Sequence, residues 1–90
     1  GVPSMIENTV ETTDGSKITV DVIEAKPLTD LTNPVAHMLF LSGQTPPTRR
    51  KATFIEAAEL KSGCSVLDET FTFVGGALSV AAVELDCSKL

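Results

Sequence analysis

Two runs of alternating apolar and polar residues meet at Thr13-Asp14-Gly15-Ser16, and this junction restricts the possible folds more than any other stretch. In residues 5–12, Ile6 and Val10 fall on one side and Glu7, Thr9 and Glu11 on the other. In residues 17–25, Ile18, Val20 and Val22 oppose Lys17, Thr19 and Asp21. A period of two is the signature of a strand with one buried face, and Asp-Gly between two such runs marks a hairpin, because Gly accepts positive φ. The chain therefore begins as a two-stranded ribbon, apolar on one face and wet on the other.

The rest of the pattern adds strands and one helix. Residues 26–34 are bracketed by Pro27 and Pro34 and rich in turn formers, which predicts a loop crossing the sheet, pinned by Leu28 and Leu31. Val35 to Leu41 is apolar on both parities, the mark of a strand buried on both faces or nearly so, and Gly43 ends it. At residues 52–63, Phe54, Ile55, Ala57, Ala58 and Leu60 gather on one side of a helix, with Glu56 and Glu59 opposite. Thr53-x-x-Glu56 matches a capping box and Gly63 a C-terminal cap, so the helix is expected near 53–62. Cys64 to Leu67 fits a short strand, and Thr70 to Val74 alternates with Phe71 and Phe73 inward. Gly75-Gly76 turns the chain into 77–85, whose inward set shifts from Leu78 and Val80 to Val83 and Leu85, as a β-bulge at Ala81-Ala82 would require. The expected fold is one domain over residues 1–90 of sheet-dominated α+β class. It is an antiparallel sheet or sandwich of four to six strands with one short helix, and an all-β sandwich is the alternative if residues 52–61 form a strand.

Ninety residues give a core that is marginal without further support, which directs attention to Cys64 and Cys87. In a secreted domain they pair, closing a loop worth about 3 kcal/mol on the chain-entropy estimate. In a reducing compartment they are small buried hydrophobes. An N-terminus of Gly1-Val2-Pro3-Ser4 in place of Met fits a mature end left by signal cleavage, or an added stretch ahead of a native start at Met5, whereas Ser88-Lys89-Leu90 matches a peroxisomal address. Secretion is the expected localisation and the peroxisome the alternative. No run approaches the roughly 18–20 apolar residues of a membrane span, so no membrane partner is expected.

Charge is distributed unevenly. Residues 1–48 and 52–90 each hold six carboxylates against two lysines, and Arg49, Arg50 and Lys51 sit consecutively between them, giving the net −5. The segment Ser42-Gly43-Gln44-Thr45-Pro46-Pro47-Thr48-Arg49-Arg50-Lys51 reads as a Pro-stiffened basic surface loop on an acidic body. Three clustered cations without a basic face or stacking Tyr and Trp do not make a nucleic-acid module. They suit a local protein contact, with Gln44, Pro46, Pro47, Arg49, Arg50 and Lys51 as candidate binding residues. Pro46-Pro47 would hold a polyproline-type segment, and the arginines would offer forked donors to acidic groups.

Nothing in the chain assembles a catalytic set. His37 is the sole histidine and shares parity with Val35, Leu39 and Leu41, as a satisfied core-edge residue would. His37, Cys64 and Cys87 lack the short paired spacings of a zinc site, and no nucleophile elbow, P-loop or dinucleotide fingerprint occurs. Glu7, Glu11, Asp21 and Glu24 read as a solvated sheet face. No cofactor and no metal are expected. In broad build the chain looks like the short secreted effector-type proteins of microbes, although no motif carries that likeness to any family. The expected function is a non-enzymatic protein-interaction module with an unidentified protein partner. A protease inhibitor using the 42–51 loop and a structural subunit of a β-rich assembly are the alternatives.

Overall fold

A computed structural model describes residues 8–24 and 36–86 of the chain. The hairpin forms where the alternation placed it, with β1 (Thr9–Glu11) antiparallel to β2 (Lys17–Glu24) and Glu11 opposite Lys17. Gly15 N–H donates to the Thr12 carbonyl at 3.0 Å and Thr12 N–H to the Ser16 carbonyl at 2.9 Å. Gly15 has φ 88°, so the connection is a three-residue turn closed by a left-handed glycine, one of the common hairpin solutions.

Beyond the hairpin come β3 (Ala36–Ser42), α1 (Arg50–Ser62), β4 (Ser65–Phe73) and β5 (Val80–Asp86). The five strands make one sheet in the order β1-β2-β3-β5-β4, antiparallel at every neighbour pair. Since β5 is antiparallel to both β3 and β4, those two run parallel with β5 between them. The unit β3-α1-β4 is therefore a split β-α-β crossover that lays α1 over one face of the sheet. This is the expected sheet-dominated α+β class, and the helix over residues 50–62 removes the all-β alternative.

The core lies between that face and the helix. Ile18, Val20, Leu39, Leu41, Ala81, Val83 and Leu85 point inward and are buried against Phe54, Ala57 and Ala58 of α1, with Val66, Phe71 and Phe73 packed alongside. Two small residues on the helix's inner side let it sit close to the sheet, and Leu60, expected on the apolar side, is 57% exposed. Gly63 stops the helix at φ 72°, its N–H bonded to the Glu59 carbonyl at 2.9 Å. That is the expected left-handed C-terminal cap.

Two expectations about strands need adjusting. β3 is central, and its outer face is not fully covered, because Phe40 on the side away from α1 is 38% exposed. Nor is there a bulge at Ala81-Ala82: β5 pairs with β3 without interruption from Val80 to Asp86. The apparent phase change arose because Leu78 belongs to the preceding turn rather than to the strand. The irregularity lies in β4, where the register to β5 shifts between Leu67 and Thr72. There Thr70 Oγ1 accepts from Glu84 N–H at 2.8 Å and donates to the Leu67 carbonyl at 2.6 Å, so a side chain replaces the lost ladder bond.

The capping box is corrected as well. Thr53 is not at the helix start, since its N–H already donates to the Arg49 carbonyl at 2.8 Å inside the helix. Its buried Oγ1 donates to Asp14 Oδ2 at 2.7 Å instead. Glu56 accepts from Thr13 N–H at 2.7 Å and Thr13 Oγ1 at 3.1 Å. The two residues thus clamp the hairpin turn to α1. Asp14 holds the turn at the same time, its Oδ1 accepting from Thr12 Oγ1 at 2.6 Å and Ser16 N–H at 3.0 Å.

The bonds from Thr12, Ser16 and Thr53 hold the Asp14 carboxyl well below the usual carboxylate range. A depressed folded-state pKa adds stability that is complete above the unfolded value and is lost as pH falls toward the folded one. Stability should thus decline from about pH 5 downward, and Asp14→Asn should flatten that acid limb. Urea midpoints measured from about pH 6 to pH 2 check this, and an unchanged slope would remove Asp14 as a source.

Several sequence expectations lie outside the described residues: the extension of the first strand to Ile6 and Glu7, the loop at 26–34, the pairing of Cys64 with Cys87, and Ser88-Lys89-Leu90. His37 stands opposite Glu24 and Leu85 in register, and its side chain is likewise outside that description.

Candidate functional site

The basic segment is shorter as a loop than its sequence suggested. Gly43 leaves β3 at φ 151°, its N–H donating to the Ser79 carbonyl at 3.0 Å. The chain then closes a β-turn around Pro47-Thr48, with Arg49 N–H donating to the Pro46 carbonyl at 2.9 Å. Pro46 and Pro47 are therefore the first two residues of a turn. The helix begins directly afterwards, with Arg49 in the cap position and Arg50 and Lys51 in the first turn. The expected start near Thr53 was three residues late.

That shift changes the electrostatics of the cations. A helix N-terminus carries unsatisfied N–H groups and the positive end of the macrodipole, where acids stabilise and bases destabilise. Here the first turn contains no acid, and Arg49 offers the backbone no side-chain cap. Lys51 is partly neutralised: its Nζ lies 3.1 Å from Asp68 Oδ2 and 5.6 Å above the Phe71 ring. Arg50 Nη1 donates to the Pro47 carbonyl at 3.2 Å, a bond that leaves its charge unpaired. Among the described residues the Arg49 guanidinium has neither a hydrogen-bond nor an ion-pair partner.

Beside these cations opens a cavity of about 350 Å³. Pro47, Thr48, Arg49, Arg50, Lys51 and Ala52 form its helix side, and Phe73 and Leu78 contribute an apolar floor. Phe73 is held from beneath by Phe71 and Phe54, with ring centroids at 5.1 and 6.3 Å. Leu78 has φ 57°, a left-handed conformation that is unfavourable for a leucine, and it is 38% exposed. The turn between β4 and β5 therefore presents an apolar side chain at a cost in backbone strain and in solvation.

Of the candidate binding residues, Pro47, Arg49, Arg50 and Lys51 line this cavity, while Gln44 and Pro46 do not. Thr48, Ala52, Phe73 and Leu78 were missed. Phe73 and Leu78 reach the site only through the β4–β5 pairing, and the one sequence signal of that turn was Gly75-Gly76. Among the described residues no group of three or more His, Cys, Asp or Glu is arranged to hold a metal ion. No helix among them is long and apolar enough to cross a membrane. Compared with protein-family models, curated proteins and solved structures, the chain gives no significant match, so its function has to be argued from this surface.

Proposed function

We propose that the chain is a non-enzymatic protein-interaction module whose contact surface is the cationic start of α1 over Phe73 and Leu78. The partner it fits is an acidic segment of another protein. One observation carries the reading: Arg49, Arg50 and Lys51 occupy the end of the helix where positive charge is least favourable, with no acid in the first turn. Folding alone would favour the opposite charge there. A carboxylate-bearing partner would meet two arginine forks and the helix's free N–H groups together, and its apolar side chains would cover Phe73 and Leu78.

The test separates binding from folding. Arg49→Ala/Arg50→Ala should weaken binding of a glutamate-rich peptide about tenfold or more, with the parent affinity falling as salt rises. The same double variant should unfold at equal or higher denaturant, by about 0.3–1 kcal/mol per removed charge. Unchanged affinity in the variant would move the contact elsewhere on the molecule.

A secreted, disulfide-bonded and effector-like protein is part of the same proposal. The disulfide is the part with structural support: the last pair of the β4–β5 ladder is Ser65↔Asp86, so that Cys64 and Cys87 each come one residue beyond it in the sequence. A bonded pair lowers the unreduced mass by about two daltons. A full thiol mass would exclude the bond and favour a reducing compartment.

A further inference from the structure

We infer that the partner of this surface binds as an extended strand along the free edge of β4, with acidic side chains at every second position facing the start of α1. The inference rests on the contact surface proposed above. β4 is an edge strand in the order β1-β2-β3-β5-β4, and among the described residues nothing pairs with its outer side. Its two halves differ. The first half ends in Asp68 and Glu69 at the register break, charges of the kind that discourage edge pairing. The second half, Thr70-Phe71-Thr72-Phe73, carries no charge and leads into the cavity.

Backbone direction supports the same edge. Val74 N–H donates to the Val80 carbonyl at 2.8 Å, toward β5. Donors and acceptors alternate in direction along a strand, so the N–H and C=O of Phe73 face outward. The residue that floors the cavity therefore also turns its ladder groups outward, the carbonyl meeting only the Thr72 hydroxyl at 3.4 Å among the described residues. Side chains on one face of an added strand recur about every 6.5–7 Å, so a strand of several residues would present more than one carboxylate on the face that α1 covers. Main-chain bonds would supply affinity and the charges would supply selectivity. The occupant is fixed by charge: an acidic strand complements the cations, whereas a basic one would meet like charge at the helix start.

The probe is a fluorescein-labelled, end-capped peptide of about eight residues alternating glutamate and valine, followed by anisotropy with the intact chain. In a strand all glutamate amides point one way and all valine amides the other. Methylating the nitrogens of one set should therefore reduce affinity about tenfold or more, and methylating the other set should leave it nearly unchanged. A peptide of equal charge built from glutamate and glycine should bind more weakly, because it has little strand preference. Equal affinities of the two methylated forms would overturn the edge pairing. So would a glutamate–glycine peptide that binds as tightly as the alternating one. In either case loss of binding in Arg49→Ala/Arg50→Ala would leave the contact surface itself standing. If neither acidic peptide binds, the contact surface and the edge pairing fall together.

Discussion

Phe54→Ala is expected to lower the free energy of unfolding by about 3–5 kcal/mol. Phe54 is fully buried, among the largest side chains in the core, and lies on the inner side of α1. Its ring meets Phe71 at 6.4 Å and Phe73 at 6.3 Å, so truncation removes apolar contact to the helix, to β4 and to the floor of the cavity together. The gap would be hard to close. The other buried residues of the helix are Thr53, held by its bond to Asp14, and Ala57 and Ala58, which lack the side-chain length to fill it. Domains of this size have about 5–15 kcal/mol in all, so the variant would be near or past its midpoint at low denaturant. Leu60→Ala on the same helix should stay within about 0.5 kcal/mol, since Leu60 is 57% exposed. Urea titration followed by far-ultraviolet circular dichroism reads both, as the chain has no Trp or Tyr to report by fluorescence. Equal losses for the two variants would contradict the placement of the helix.

The second large effect is expected at Gly43. A Cβ there would stand 2.7 Å from the Lys17 carbonyl oxygen and 3.0 Å from Ile18 Cδ1, at φ +151°. The first contact is with backbone, which cannot rotate away, and the second is with a fully buried side chain. Gly43→Ala must therefore displace β2 or the end of β3, at about 2–3 kcal/mol. Gly15→Ala is the informative comparison. Nothing lies within 4 Å of a Cβ built there, so its cost comes from φ +88° alone and should be about 1 kcal/mol. If Gly43→Ala were the milder of the two, close approach would not be what requires glycine at that position.

Much of the fold was legible because its determinants are local. Alternation at Ile18 and Val20 together with Asp14-Gly15 gave the hairpin, since period and turn chemistry are both set within a few residues. The helix was legible in its existence and in its Gly63 stop, where a left-handed residue is a local requirement. Its start was not. Thr53 and Glu56 carry the residue types and spacing of a cap, but Asp14 and Thr13 engage them across the fold. The same holds for Leu78, whose parity suggested a strand although the β4–β5 turn has it.

For the site, the sequence by itself determined the three adjacent cations and their isolation on an acidic chain. Those follow from composition and residue order. Only the tertiary structure decided that the cations stand at the electropositive end of a helix, over Phe73 and Leu78 and next to a strand edge that is unpaired among the described residues. The crossover from β3 to β4 places the helix start there, and insertion of β5 brings the turn that carries Leu78. Both depend on which strands pair, and pairing between distant segments is fixed by burial of the whole apolar face, not by the residues of any one segment.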